Sequence, residues 1–201
     1  MPRKKRAGAY HHGDLRSALL AAAWTMVSRR GVDGLSLRAV ADALGVSHAA
    51  PAHHFRDKAA LLDALRAEAW GRFAEVLEAA GRTPQGLRAM GLAYVEFALQ
   101  HPRQVQLMFR AGAEAPSEVV RQQAIRSWFA LESAVAAYVG PGGTDPGALT
   151  ARVVACWAQV HGLAMLWTEV ELPPHVTADD GGAALRARAV DLILAGLRQT
   201  G

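Results

Sequence analysis

Residues 36–58, SLRAVADALGVSHAAPAHHFRDK, restrict the fold more than any other stretch of the chain. Leu37, Val40, Ala41 and Leu44 recur at i, i+3, i+4 and i+7, one apolar stripe of a short helix. Gly45 follows at the place where a left-handed residue commonly closes a helix. Ser47 then offers a side-chain oxygen as the N-cap of a second short helix. That helix is expected to end by about Phe55, because Asp57 is placed to cap a third helix starting near Lys58. Two short helices joined by a tight glycine turn make a helix-turn-helix, whose second helix has the size that enters a DNA major groove.

Charge is distributed to match. Residues 1–60 hold ten Lys/Arg against four Asp/Glu, a balance of +6, whereas the rest of the chain carries −2. A basic N-terminal segment on a slightly acidic remainder points to a polyanion partner. Residues 1–9, MPRKKRAGA, show no apolar pattern. Arg3, Lys4, Lys5 and Arg6 are candidates for phosphate or minor-groove contact, with a solvated tail as the alternative. Pro2 to Arg6 is basic with no apolar run behind it, so no secretory leader is expected. Arg152, Gln159 and His161 interrupt the best candidate for a membrane span, so no membrane partner is expected. The single cysteine, Cys156, precludes an internal disulfide and fits a reducing cytoplasm.

The segment VADALGVSHAAPAHHFRDKAALL resembles the DNA-binding signature of TetR/AcrR-type regulators: a GVS turn, a recognition helix ending in HF, then a Lys opening the next helix. YHHGDLRSALLAAA upstream is similar to the first helix of that domain. YVEFALQHPRQVQLMF and AQVHGLAML extend the resemblance to a subgroup whose ligand-binding half carries a Trp-His-Gly motif. It implies an all-α protein: a three-helix DNA-binding domain with its arm over residues 1–57, then a helical ligand-binding and dimerisation domain over 58–201. Ser47, His48, Ala49, Ala52 and His53 are the candidates to face DNA, with His54 at the family position that meets the backbone. Lys58, at a helix N-terminus, can share a phosphate with the helix N–H groups, and Arg38 is a further phosphate candidate. Two departures stand out. Ala52 occupies a position that is usually aromatic in the family, and Pro51 removes an early backbone bond. Without Arg, Asn or Gln on this helix, bidentate base reading is absent.

The first helix is expected from an Asp14 cap, with Leu15, Leu19, Ala22 and Met26 as its stripe, and Gly31 ends it. The vicinal pair His11-His12, beside Tyr10, lacks a third metal ligand at a matching short spacing. A long helix runs from Lys58 to about Ala80; further helices span 85–100, 103–110, 117–139, 146–171 and 183–199, with Gly and Pro between them. No strand alternation and no internal repeat is present. No Gly-rich phosphate loop, CxxC pair or HExxH helix appears, and no cofactor is expected. Cys156 and His161 are five residues apart, about 500° of helix rotation, so their side chains diverge by nearly 140° and make no catalytic pair.

Trp157 and His161 are four apart and share a helix face. His161 is either a hydrogen-bonded core histidine or a polar group in a ligand cavity. The large side chains Trp70, Phe73, Tyr94, Phe97, Met108, Phe109, Trp128, Met165 and Trp167 pack a core, or enclose an apolar pocket. The resemblance implies an inducer pocket, for which the candidates are Trp70, Phe73, Tyr94, Phe97, Met108, Trp128, Trp157 and His161. Val153, Trp157, Val160, Ala164 and Trp167 form one stripe, and Leu185, Val190, Leu192, Ile193 and Leu197 another. Together they could build an intermolecular four-helix bundle, but some of these positions must face the chain's own core, so the interface is assigned to the two helices rather than to single residues. The resulting reading is a homodimeric one-component transcriptional regulator, most simply a repressor that binds a palindromic DNA operator and is released by a small apolar or amphipathic inducer. The rival is a helical small-molecule-binding protein or enzyme with a degenerate DNA-binding head.

Overall fold

The computed structural model describes residues 12–110, 115–140 and 145–199. These residues are helical throughout, with no strand among them: α1 (His12–Arg30), α2 (Leu37–Leu44), a 3-10 turn (Ala50–His53), α3 (Lys58–Gly81), α4 (Gly86–Gln100), α5 (Pro102–Phe109), α6 (Glu118–Val139), α7 (Pro146–Glu169), α8 (Pro174–Gly181) and α9 (Ala183–Gln199). The chain divides into two compact units, one running to Arg66 and the other from Ala67. The division therefore falls within α3, whereas the sequence placed it ahead of that helix, at residue 57.

In the N-terminal unit α1 packs on α2, and α2 on the 3-10 turn. The buried face of α1 is Leu19, Leu20, Ala23, Trp24 and Val27, rotated from the expected stripe, of which Leu15, Ala22 and Met26 are only half-buried. The helix also begins at His12, two residues before the expected Asp14 cap. Val40 and Ala41 from α2 and Leu61 and Leu65 from α3 are completely buried. Each buried Leu contributes on the order of 1.5–3 kcal/mol. Tyr10, His11 and the basic residues Arg3, Lys4, Lys5 and Arg6 lie outside the described residues.

The C-terminal unit centres on α4, which packs against α5, α6, α7 and α9; α7 in turn packs against α6 and α9. Prolines start these helices rather than stopping them: Pro102, Pro146 and Pro174 each occupy a first-turn position, where the missing N–H costs nothing. That explains why α8 escaped the sequence reading, which took Pro173-Pro174 only as a terminator. Close approach between α4 and α9 depends on Gly91, where a Cβ would come within 3.0 Å of Val190 Cγ1. Two ion pairs bridge helices at the surface. Arg88 holds Asp191 between α4 and α9 through Nε to Oδ1 at 2.6 Å and Nη2 to Oδ2 at 3.1 Å. Arg126 Nη2 donates to Glu78 Oε2 at 2.6 Å between α6 and α3.

Helix α7 is apolar on both sides, and this bears on two expectations. Val153, Val160 and Ala164 are the stripe positions that face the chain's own core, as do Val190 and Leu197 of α9. The outward face of α7 is Ala151, Val154, Ala155, Ala158, Gly162 and Leu166, with Val154 and Leu166 each 47% exposed. On α9, Leu185 and Leu192 point outward. With apolar residues on both faces, an 18-residue stretch within Gly147–Glu169 reaches a mean hydropathy of 1.2, long and apolar enough by length and composition to span a bilayer. The charged and polar residues in it do not lower the average enough to exclude that, contrary to the sequence reading.

Candidate functional site

The helix-turn-helix is built by local capping. The Ala39 N–H donates to Ser36 Oγ at 3.1 Å, which fixes the start of α2. Gly45, at φ 66°, closes it in the left-handed conformation. Beyond the turn the expected α-helix does not form. An N-cap at Ser47 would make residue 51 the first donor of an α-type bond, to the Ser47 carbonyl, and Pro51 has no N–H to give. The Ser47 carbonyl is taken instead by the Ala50 N–H at 2.9 Å, and the chain tightens into the 3-10 turn Ala50–His53 with Pro51 buried beneath it. Phe55 is buried, with the Arg16 guanidinium 5.4 Å from its ring centroid. Asp57 caps α3, accepting the Ala60 N–H at 2.8 Å, and that bond, with Arg56 beside it, holds its carboxyl below the usual range.

This geometry leaves Arg38, Ser47, His48, Ala49, Ala52 and His53 exposed, with His54 and Lys58 half-buried. His48 is not free to turn at will, since its Nε2 lies 2.6 Å from Asp42 Oδ1 on α2. Among the described residues no cluster of three or more His, Cys, Asp or Glu side chains forms a metal site.

The C-terminal unit holds a half-open cavity of about 440 Å³, with Ile125 and Phe109 partly exposed at its mouth. Trp70, Phe73 and Leu77 of α3 form one wall, facing Leu87, Met90 and Tyr94 of α4. Phe109 of α5, Trp128 and Ser127 of α6, and Cys156, Trp157 and Val160 of α7 complete most of the rest. The rings meet edge to face: Phe73 and Tyr94 at 4.9 Å and 89°, Trp128 and Trp157 at 6.3 Å and 85°, Trp70 and Phe109 at 5.2 Å and 71°. Trp70, Phe73, Tyr94, Trp128 and Trp157 of the sequence candidates thus share one wall system. Phe97 and Met108 are buried elsewhere in the unit, Phe97 behind Phe73 at 5.3 Å. Of the small or polar lining residues, Gly91 and Ser127 were not singled out in the sequence, and Cys156 was weighed only for disulfide and catalytic roles, not as a cavity residue.

His161 does not line the cavity. Its Nδ1 is 2.7 Å from the Tyr94 hydroxyl, and its ring sits 4.7 Å from that of Phe109. Burial holds its pKa below the ordinary value, with the Glu169 charge opposing in part, so the neutral ring can accept the phenol proton at Nδ1. Burial pushes the Tyr94 phenol up, against the opposing effect of a hydrogen bond from the Trp157 side chain. Burial likewise raises the Cys156 thiol to about 11. The pair Tyr94–His161 joins α4 to α7 behind the cavity wall and fixes the phenol's orientation.

Comparison with known proteins agrees with both units. Residues 19–65 match the family described as bacterial regulatory proteins, tetR family, and residues 87–193 match the tetracyclin repressor-like C-terminal domain. No curated protein matches the chain. A protein of unknown function from Rhodococcus sp. RHA1 is 34% identical, with a TM-score of 0.79 over 96% of this chain and 100% of its own. A tetR-family regulatory protein from Rhodococcus RHA1 shares the fold at 20% identity and a TM-score of 0.67, over 90% of this chain and 96% of its own. SmeT in complex with triclosan does so at 19% identity and 0.62, over 90% of each chain. The N-terminal helix-turn-helix, the all-helical C-terminal unit and these matches together establish that the chain belongs to the TetR family of DNA-binding transcriptional regulators and is a regulator rather than an enzyme.

Proposed function

We propose that the chain is a homodimeric repressor, holding a palindromic operator until a small apolar or amphipathic molecule fills the cavity. The observation that carries this reading is the aromatic cavity of about 440 Å³ within the regulator's helical unit, a volume in the range that takes small ligands. One fold relative, SmeT, is seen with triclosan bound. Helix α3 gives the coupling a physical route, because it carries Lys58 at its N-terminus and Trp70, Phe73 and Leu77 on the cavity wall.

In this proposal Lys58, Arg38 and His54 hold phosphates, joined by Arg3, Lys4, Lys5 and Arg6 of the arm, while Ser47, His48, Ala49, Ala52 and His53 meet base edges. A helix-turn-helix without a bidentate reader binds too weakly alone to find a site among genomic competitors. Two copies supply the second half-site contact, and the outward apolar faces of α7 and α9 are the surface for pairing. The test is a gel shift with DNA flanking the protein's own gene, with and without apolar aromatic compounds. The expected result is a retarded band that disappears as ligand saturates. A chain that retards no flanking DNA, or that binds ligand with the band unchanged, refutes the reading.

A further inference from the structure

Small-ligand cavities differ most in the charge they accept, and here the wall is specific on that point. Its described residues include no Asp, Glu, Lys, Arg or His. Four of the ions adjacent in sequence to lining residues are spent on one another. Glu78 and Arg126, each following a lining residue, pair across α3 and α6, and Arg88 and Asp191 do the same across α4 and α9. Apart from the Trp70 and Trp128 indole N–H groups, the polar groups of the wall are also engaged. The Ser127 hydroxyl donates to the Gln123 carbonyl at 3.1 Å, the Tyr94 hydroxyl is committed to His161, and burial keeps the Cys156 thiol protonated.

We propose that the cavity takes an uncharged, largely aromatic ligand of two or three rings and rejects both anions and cations of the same shape. This rests on the cavity being the ligand site. An anion whose charged group is carried into it would give up its hydration and find no counter-charge on the described wall. A strongly hydrated primary ammonium could draw on the faces of Trp70, Trp128 and Trp157, but without a carboxylate that attraction does not offset the lost hydration. Several ring faces are moreover occupied by neighbouring ring edges. Size follows from volume: a cavity of about 150 Å³ holds one benzene, so roughly three times that space suits two or three rings. Ser127 Oγ retains lone pairs and can accept from one ligand hydroxyl.

The proposal is tested on the full chain with probes of similar shape: biphenyl-4-ol, biphenyl-4-carboxylate and biphenyl-4-ylmethylammonium, read by calorimetry and tryptophan quenching. Nile red, uncharged and fluorescent, reports cavity occupancy by competition. The expected result is that biphenyl-4-ol binds and displaces Nile red, while each ion binds at least about 100-fold more weakly. An ion binding within about tenfold of the alcohol, or Nile red binding without displacement by the alcohol, overturns the charge assignment and leaves the cavity as a ligand site. If no probe binds, Nile red included, the ligand-site reading falls and takes this inference with it. Ala124→Trp, which fills the cavity from α6, should abolish alcohol binding; a variant that remains helical by circular dichroism and still binds places the alcohol elsewhere and overturns the proposal.

Discussion

Replacing Leu192 by Glu alters a side chain that is 68% exposed on the outward face of α9, so the fold of the single chain has little to lose. Fully burying a Leu is worth about 1.5–3 kcal/mol, and roughly two-thirds of that remains to be gained by covering it, about 1–2 kcal/mol per copy. In a two-fold dimer the loss counts twice, about 2–4 kcal/mol. Two carboxylates brought to a dry interface add a desolvation penalty of several kcal/mol more. A total of at least about 4 kcal/mol corresponds to roughly a thousandfold rise in the dimer dissociation constant. Light scattering should therefore report the 21.4 kDa single chain at concentrations where the unaltered protein is twice that mass, with unchanged helicity by circular dichroism. Operator affinity should fall with it. A variant that stays dimeric, or a monomer that binds the operator as tightly, refutes the assignment of α7 and α9 to pairing.

Lys58→Ala should weaken binding to every DNA sequence alike and lower the salt slope by about one, measured by fluorescence anisotropy across a salt series. Ala52→Tyr should strengthen binding by about 1 kcal/mol, because the phenol adds a hydrogen bond to phosphate; the same anisotropy assay would reveal a loss instead if the small residue is needed at the groove. His161, whose folded pKa is depressed by burial, should contribute a pH dependence of known sign. Its neutral form is the one the fold favours, so that contribution is present above the unfolded value near 6.5 and is lost as pH falls through it toward the folded pKa. Urea midpoints should accordingly drop on acidification below about pH 6.5, and drop less in His161→Asn.

How much of this was legible in the sequence depended on whether a signal had one meaning. The stripe of α2 and its Gly45 end agreed, and the structure keeps both. Pro51 was noticed, but its effect depends on register: one residue earlier it would sit in the tolerated first turn, whereas as the first required donor it converts a helix into a 3-10 turn. Helix α7 misled because apolar residues on both faces leave periodicity with nothing to choose between; only packing showed that Val153 and Val160 face inward while Val154 and Ala158 face out. The aromatic side chains could not be divided into core and cavity by spacing, because the rings that meet come from α3, α4, α6 and α7. The Tyr94 partner of His161 lies 67 residues away, beyond the reach of any local pattern.

Trp157 lines the cavity yet is 36% exposed at the margin of the outward face of α7. If that face carries the pairing surface, ligand binding and self-association share a side chain and are thermodynamically linked. Reciprocity then requires that whatever factor the ligand imposes on the dimerisation constant, dimerisation imposes on the ligand's affinity. The inducer would not have one dissociation constant but a family of them, set by how much of the chain is present. A cell that raised the regulator's copy number would thereby retune its sensitivity to the signal without altering a residue of the pocket.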